Sequence, residues 1–238
     1  MRGPAGMDPS AQALDKGTLA QRNNLPPPSP KAPPPAKEPL IPLDDDTRYL
    51  AATAYGEAST KNDFDEVSGI ANVLIRQSRA RGFKSVASFI KKNKTFAFAA
   101  HDGNPRYSKF MAAKDAARAA DAGMAAAIRA ARSALSGLQA TDPSSGAYFW
   151  DGADIKSDYE THKTVRAGFR FTKPEHNIYG IKAKDVPGEN WWLDKDGKKT
   201  KLRGKWTCKF ESTAAHGGTI FWKYTAEFID ATGNTEYD

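Results

Sequence analysis

Proline is distributed unevenly along this chain, and its distribution limits how much of the chain can fold. Eleven of the 15 prolines precede residue 43, and most of them lie in the run LPPPSPKAPPPAKEPLIP at residues 25–42. Proline lacks a backbone N–H and favours polyproline II, so such a run forms a semi-rigid tether. We expect residues 1–43 to be a disordered proline-rich tail, either a spacer or a ligand for an SH3-like domain. About 190 residues then remain, close to one folded domain.

The remaining composition excludes several classes of protein. With 39% hydrophobic and 11% aromatic residues, the chain has enough apolar side chains for a core, which excludes disorder throughout. The single cysteine, Cys208, cannot form an internal disulfide, and its alternation with Trp206 and Phe210 predicts a small buried side chain. No stretch approaches the roughly 20 apolar residues of a membrane span, and we see no apolar secretion signal near residue 1.

The formal net charge of +7 is concentrated in one segment. Residues 76–132 contain 13 basic and three acidic residues, whereas the other segments are close to neutral. Such a surface favours an anionic partner, either nucleic acid, a membrane surface or an anionic polymer such as a cell wall. No helix-turn-helix or base-stacking motif accompanies it, so we expect no nucleic-acid partner.

Helix signals follow the tail. The acidic run that starts at Asp44 suits the first turn of a helix, which should end near Glu57. Asp63 begins a second helix, with Glu66 in the capping-box position and apolar residues at a 3.6-residue period. A third, short helix is expected over residues 85–92.

Residues 108–136 are rich in alanine and predict helical structure that is broken or bent near Gly123 and stopped by Gly137. We interpret it as a core helix with an alanine face for close packing and with solvated basic residues. These basic residues are Lys114, Arg118, Arg129 and Arg132.

After Gly137 the pattern becomes that of strands. Residues 146–150 predict a short apolar strand or a tight loop, Asp196-Gly197 predicts a hairpin turn, and Gly217-Gly218 separates two alternating runs. We therefore expect an α+β fold with a mainly helical N-terminal lobe and a β-rich C-terminal extension.

Glu57 is a candidate catalytic group on physical grounds. It should lie at the negative end of the first helix dipole, between the small residues Gly56 and Ala58. The dipole and the apolar neighbours would raise the pKa of its carboxyl group. A carboxylic acid that stays protonated near neutral pH can protonate the leaving oxygen in glycosidic cleavage. The ordinary alternative is a solvated glutamate at a helix end.

Three segments, in this order, carry a family resemblance. Tyr55-Gly56-Glu57-Ala58 forms a turn within YLAATAYGEASTKNDFDEVSGIANVLIRQ at residues 49–77. Thr95–Phe98 precedes Asp102-Gly103, and DPSSGAYFW occupies residues 142–150. Together these segments resemble the SleB/CwlJ-type cell-wall hydrolase family, over roughly residues 45–182.

The resemblance implies a lysozyme-like domain at residues 44–182 that cleaves bacterial peptidoglycan between N-acetylmuramic acid and N-acetylglucosamine. It also implies that Glu57 is the catalytic acid/base. In a lytic transglycosylase this single carboxyl group protonates the glycosidic oxygen. It then takes the proton of the muramyl 6-hydroxyl, which attacks the anomeric carbon in place of water.

The sequence departs from the family pattern in ways that leave the reaction outcome open. The family often has a second glutamate soon after the turn, where this chain has Ser59-Thr60-Lys61, and Ser145 stands where glycine is common. The alternative outcome is therefore hydrolysis, in which Asp102, Asp142 or Asp151 supports a water molecule.

The substrate-binding candidates are aromatic residues whose flat faces suit sugar rings, and one loop histidine. They are Tyr55, Phe96, His101, Tyr148 and Trp150. The alternative for each aromatic residue is packing in the core, and we interpret His162 and His176, in polar stretches, as solvated or satisfied side chains without a functional role. The histidines lack metal-binding spacing, so we expect no metal and no cofactor.

Residues 183–238 lie outside the resemblance and carry three closely spaced tryptophans near several lysines. They are Trp191, Trp192 and Trp206. This extension would either lengthen the glycan cleft as a wall-binding platform or close the core as a small β subdomain, and we favour the second.

The sequence thus predicts a peptidoglycan glycosidase that acts on glycan strands of the cell wall. Alternatives of other classes are a non-catalytic wall-binding module and, less favoured, a basic nucleic-acid-binding protein. Without a signal peptide, export would use a dedicated secretion system, as in a type VI antibacterial effector, or cell lysis, as in a phage endolysin. An effector would meet a periplasmic immunity protein that covers the cleft around Glu57.

Overall fold

The computed structural model describes residues 42–94, 96–137 and 142–237. The predicted tail lies outside these residues except for Pro42 and Leu43, and so does Thr95 of the second motif. Within the described residues the fold is mixed α/β, with the longer helices before residue 137 and the strands after residue 148.

Six α-helices precede residue 137 in the described part of the chain. They are α1 (Asp45–Glu57), α2 (Phe64–Ala80), α3 (Val86–Lys92), α4 (Pro105–Ala112), α5 (Asp115–Ala120) and α6 (Ala122–Ser136). Three shorter helices follow, α7 (Asp154–Ser157), α8 (Lys163–Ala167) and α9 (Ala226–Thr232). Two 3₁₀ turns cover Phe98–Ala100 and Pro174–His176.

The first three helices begin where the sequence predicts, because each start has a side-chain cap. The Asp44 carboxylate accepts a hydrogen bond from the backbone N–H of Thr47 at 2.8 Å, and Asp63 accepts one from Glu66 at 3.0 Å. Ser85 caps α3 in the same way. These bonds satisfy N–H groups of the first turn that have no partner within the helix.

The helical stretch over residues 108–136 is broken near Gly123, as one of the two predicted alternatives has it, and it is broken a second time after Ala112. α4, α5 and α6 share this stretch, and α6 begins after Asp121, whose carboxylate accepts hydrogen bonds from Gly123 at 3.0 Å and Met124 at 3.1 Å. Gly123 lies in the first turn of α6, where a Cβ atom would come within 2.5 Å of Asn62 Oδ1. Its glycine therefore permits a close approach, while Gly137, at φ 67°, ends α6 as predicted.

The alanine face of α6 packs in the core against α1 and α2, as predicted. Ala127 and Ala131 are fully buried on this face. The prediction of solvated basic residues is wrong for Arg118, which is buried. Its guanidinium donates hydrogen bonds to the carbonyl groups of Phe110 at 3.0 Å and Met111 at 3.2 Å, so it caps the last turn of α4.

Six strands form a four-stranded sheet and a separate two-stranded ribbon in the described residues. They are β1 (Phe149–Asp151), β2 (Phe169–Arg170), β3 (Gly188–Leu193), β4 (Lys199–Trp206), β5 (Phe210–His216) and β6 (Thr219–Tyr224). The sheet has the order β1-β6-β5-β2, with β2 parallel to β5 and the other pairs antiparallel. The antiparallel ribbon β3–β4 packs against α9.

Strand β6 separates two clusters of buried side chains. Phe221 belongs to the cluster formed with the helices, whereas its neighbour Trp222 belongs to a second cluster with Phe169. Successive residues of a strand point to opposite faces, so one strand serves both clusters. The predicted boundary between residues 182 and 183 therefore runs through this sheet, since β1 and β2 precede it and β5 and β6 follow it.

The alternation of Trp206, Cys208 and Phe210 does not correspond to one strand, because β4 ends at Trp206 and β5 begins at Phe210. Cys208 lies in the connection and is buried, as the sequence predicts. The predicted hairpin at Asp196-Gly197 is confirmed as β3–β4, and that at Gly217-Gly218 as β5–β6.

The carboxylate of Glu66 has a different role from the predicted capping box. It is fully buried and accepts four hydrogen bonds, from Ser59 N at 3.0 Å, Ser59 Oγ at 2.6 Å, Gly218 N at 3.0 Å and Thr219 Oγ1 at 2.8 Å. A buried carboxylate is tolerated only when hydrogen bonds replace its hydration. This one therefore joins the turn after α1 to the β5–β6 hairpin.

Replacing Glu66 with alanine should lower the free energy of unfolding by about 3 kcal/mol, because buried donors lose their acceptor and a cavity opens. Urea denaturation measures the change. Asp65→Ala is the matched control, since Asp65 is an exposed neighbour in the same helical turn and should change stability by less than about 1 kcal/mol. Equal effects of the two substitutions would contradict this role of Glu66.

Candidate active site

Glu57 is the last residue of α1, and its carboxyl group faces the 3₁₀ turn at Phe98–Ala100. Its Oε1 atom accepts a hydrogen bond from the backbone N–H of Ala99 at 2.7 Å, and the Trp150 side chain also lies within hydrogen-bonding range. A Cβ atom at Gly56 would come within 2.8 Å of the Ala99 Cβ atom. The glycine before Glu57 therefore allows α1 to contact this turn directly.

The pKa of the Glu57 carboxyl group is raised to about 7, from an ordinary value of 4.5. Burial is the main cause, and the negative charges of Asp102 and Asp154 act in the same direction. The hydrogen bonds from Ala99 and Trp150 oppose the shift because they stabilise the charged form. The predicted direction of the pKa is confirmed. Near neutral pH the group can both give and take a proton.

An aromatic cleft with a volume of about 460 Å³ lies next to the residues that surround this carboxyl group, although Glu57 itself does not line it. Trp150, which interacts with Glu57, lines the cleft, and so does Phe98, which precedes Ala99. Phe96 packs edge-on against Trp150 with ring centroids 5.1 Å apart. The Phe98 side chain is 51% exposed. The cleft thus offers flat apolar surfaces to a ligand next to an acid.

The same cleft also contains a cluster of two aspartates, a histidine and a threonine. The His162 Nε2 atom lies 3.3 Å from Asp154 Oδ2 and 3.6 Å from Asp151 Oδ1. Thr164 Oγ1 donates a hydrogen bond to Asp151 Oδ2 at 2.7 Å. The Asp151 and His162 side chains are 15% and 11% exposed, whereas that of Asp154 is 59% exposed.

The geometry of His162 fixes the proton on its ring. Its Nδ1 atom accepts the backbone N–H of Thr164 at 3.3 Å and caps α8, so in the neutral ring the proton lies on Nε2, which faces the two carboxylates. The hydrogen bond with Asp154 is the main cause that raises the pKa of His162, and it also lowers the pKa of Asp154. Burial raises the pKa of Asp151 to about 6.

The structure brings two of the five predicted substrate-binding residues, Phe96 and Trp150, to the cleft. Tyr55 is buried in the helical core, where the Arg106 guanidinium lies 4.1 Å from its ring centroid. His101 does not line the cleft, and its Nε2 atom lies 2.7 Å from the Ile90 carbonyl oxygen. Tyr55 and His101 therefore have structural contacts instead of facing the cleft.

Tyr148 lies in a different pocket, which it lines together with Arg76 and Asp142. Asp142 forms an ion pair with Arg76 and accepts hydrogen bonds from the backbone N–H groups of Ser144 and Gly146. This candidate carboxylate therefore stabilises the turn that precedes β1.

Asp151 and Asp102 have different relations to the cleft. Asp151 lines it, directly after Trp150 at the end of β1. Asp102 is exposed, accepts a hydrogen bond from the Asn104 N–H at 3.1 Å, and is close enough to raise the pKa of Glu57. Of the three aspartates considered for hydrolysis, only Asp151 thus lines the cleft.

Sequence reasoning missed Phe98, Asp154 and His162 as residues of the cleft. The polar sequence around His162 favours a solvated or satisfied side chain without a functional role. The available signal was local, since Asp154 lies three residues after Asp151, just past the last motif, and His162 lies eight residues further on. Nothing in that spacing alone shows that the chain folds back to bring the three together.

Two further properties concern only the residues that the structure describes. They contain no group of three or more His, Cys, Asp or Glu side chains placed to hold a metal ion. None of their helices combines the length and the apolar character needed to cross a membrane.

Comparison of the chain with protein-family models gives no matching family, and neither the curated proteins nor the solved structures contain a significant match to it. The resemblance to the SleB/CwlJ-type family therefore rests on the sequence motifs.

Glu57→Gln should stabilise the protein at alkaline pH. The folded pKa of Glu57 lies above its unfolded value, so the contribution of Glu57 to stability is full below about pH 4.5 and is lost as the pH rises through about 7. Glutamine cannot ionise, so the free energy of unfolding of the variant, relative to that of the wild type, should rise by about 1–3 kcal/mol from pH 4.5 to pH 8. Urea unfolding at both pH values measures this gain. Glu175→Gln, at an exposed position, is the control. A gain no larger for Glu57→Gln than for the control would contradict the assigned pKa.

Proposed function

We propose that this chain is a peptidoglycan glycosidase with a lysozyme-like fold, in which Glu57 is the general acid/base. The observation that carries the proposal is a carboxyl group with a pKa of about 7 beside an aromatic cleft. The Tyr55–Ala58 turn, which resembles the catalytic turn of the SleB/CwlJ-type family, supports it. The proposal takes the glycan strand of the bacterial cell wall as substrate.

The surroundings of Glu57 suit both halves of a proton-transfer reaction. Burial keeps a fraction of the carboxyl groups protonated near neutral pH, ready to protonate the glycosidic oxygen. Once the proton has left, the Ala99 N–H and the Trp150 side chain stabilise the carboxylate that forms. The same carboxylate can then act as a base.

The aromatic wall would hold the sugar next to this acid. Phe96, Phe98 and Trp150 present apolar ring surfaces along the cleft. The apolar faces of pyranose rings pack on such surfaces, while the charged cluster in the same cleft can interact with polar groups. We propose these three residues as the sugar-binding wall.

The proposed substrate lies outside the cytoplasmic membrane of a bacterium. We therefore propose that the protein acts in the periplasm of a target cell or outside cells, after export by a dedicated secretion system or release by lysis. An immunity protein for such an effector would cover the cleft and exclude glycan from Glu57.

Glu57→Gln should reduce muropeptide release from purified sacculi by at least about 100-fold, because glutamine cannot transfer the proton. Liquid chromatography with mass spectrometry measures the release. Circular dichroism should show a folded variant, and Glu175→Gln should keep the wild-type rate.

Release at the wild-type rate by Glu57→Gln would contradict the assignment of Glu57. Binding of the wild type to sacculi with no released sugar would instead favour a non-catalytic wall-binding module.

A further inference from the structure

We propose that Asp154 is the second catalytic carboxylate of the cleft, acting as the base that activates water, and that His162 is a positioning residue that orients it. This inference rests on the proposed function and deepens it, because it makes the protein a muramidase that hydrolyses the glycan strand.

The first argument is the position of Asp154 at the start of α7. The helix begins three residues after β1, so the strand that ends in Trp150 and Asp151 also places Asp154 in the cleft wall. Trp150 interacts with Glu57 on one side, and Asp151 contacts the His162 cluster on the other. The short segment from Trp150 to Asp154 therefore contacts Glu57 at one end and carries the second carboxylate at the other.

The second argument is the separation of tasks within the cluster. Asp151 is largely buried, with Oδ2 bound by Thr164 and Oδ1 facing His162, so both its oxygens face protein groups. Asp154 has one oxygen, Oδ2, near His162, and its side chain is 59% exposed. Asp154 is thus the carboxylate of this pair that a water molecule in the cleft can reach.

The third argument is the orientation of His162. Its Nδ1 atom is occupied by the N–H of Thr164, so a single N–H at Nε2 faces the carboxylates. Asp151 of β1 and Thr164 of α8 hold the imidazole ring. The ring donates its Nε2–H to Asp154, the first residue of α7. Such an arrangement orients the Asp154 carboxylate, which also has hydrogen bonds with the backbone of Gly152 and Asp154 and remains 59% exposed.

The electrostatic environments of the two carboxyl groups support this division. Burial raises the pKa of Glu57, whereas the hydrogen bond from His162 lowers that of Asp154. The negative charge of Asp154 also helps to keep Glu57 protonated. Opposite shifts in neighbouring carboxyl groups are the usual sign of an acid and a base in glycosidases. The other charged groups around Glu57 and Asp154 are Asp102, Asp151, Asp158 and Lys163.

The chemical step balances with these two groups and one water molecule. Glu57 gives its proton to the glycosidic oxygen as the bond between that oxygen and the anomeric carbon breaks. The water oxygen forms a bond to the anomeric carbon, and Asp154 takes the proton that the water loses. Exchange with solvent then returns a proton to Glu57 and removes one from Asp154. The product has a reducing muramic acid end and no 1,6-anhydro ring.

The test digests sacculi with the wild-type protein and with Asp154→Asn, and mass spectrometry identifies the ends. We expect reducing muramic acid ends from the wild type and at least about 100-fold slower release by Asp154→Asn, with an unchanged melting temperature. Asp65→Asn is the matched control, because Asp65 is also an exposed aspartate in the first turn of a helix. It should keep the wild-type rate.

His162 is tested separately by the pH dependence of kcat. Without the N–H of His162 the pKa of Asp154 should rise, so His162→Ala should lower kcat and move the acidic limb of the profile to higher pH. His162→Gln retains a side-chain N–H and should restore part of the rate. A lower kcat with an unmoved acidic limb would overturn the positioning role.

The outcomes separate this inference from the proposed function. No sugar release by the wild type, or an unchanged rate for Glu57→Gln, would overturn the proposed function itself. Loss of activity in Glu57→Gln together with a wild-type rate in Asp154→Asn, or 1,6-anhydro ends from the wild type, would overturn only the role of Asp154.

Discussion

The buried carboxylate of Glu66 fixes the part of the chain on which the rest of the site depends. It accepts hydrogen bonds from Ser59 and from Gly218, which lies 152 residues after Glu66 in the chain. The Arg106 guanidinium holds the same turn by donating to the Ser59 carbonyl at 2.7 Å. Since Ser59 follows Glu57 by two residues, these contacts restrict where α1 can end and where its last side chain can point.

At the end of α1, burial raises the pKa of Glu57 by more than hydrogen bonding lowers it. The Ala99 N–H and the Trp150 side chain favour the Glu57 carboxylate, yet the pKa is still raised to about 7. A pKa shift of this size lowers the free energy of unfolding by about 3 kcal/mol at alkaline pH, which is a substantial fraction of the stability of a small domain. Such a cost is typical of functional sites, where a reactive protonation state is maintained at the expense of stability.

The distribution of charge has a partly structural explanation. Several basic residues of segment 76–132 have internal contacts, since Arg76 pairs with Asp142, Arg106 holds the turn after α1, and Arg118 caps α4. The cleft wall itself carries more aspartates than basic side chains. The excess of +10 is therefore a poor guide to what binds in the cleft, although exposed members of the segment remain available to an anionic wall or inhibitor.

Local signals in the sequence predict local structure well here. The caps at Asp44 and Asp63, the stop at Gly137 and the two hairpin turns depend on a few neighbouring residues, and each is found where it is expected. The direction of the pKa shift of Glu57 is also as expected, although burial by distant parts of the chain is its main cause.

Features that depend on tertiary contacts were missed. The sequence predicts a helix break or bend near Gly123 but not the close approach of Asn62, and it places Glu66 in a capping box but not against the β5–β6 hairpin. Tyr148 and Trp150 are only two residues apart but line different pockets, since Tyr148 precedes β1 and Trp150 lies within it. His162 joins the cleft only because α7 and α8 fold back toward β1.

The most direct test of this account compares two values for Glu57. One is its pKa from NMR titration of a carboxyl-labelled sample, and the other is the pKa of the basic limb in the pH profile of muropeptide release. The account predicts that both lie near 7, since loss of the Glu57 proton ends activity. A measured pKa of Glu57 near 4.5, or a basic limb whose pKa differs from that measured for Glu57, would contradict the claim that Glu57 is the acid of this site.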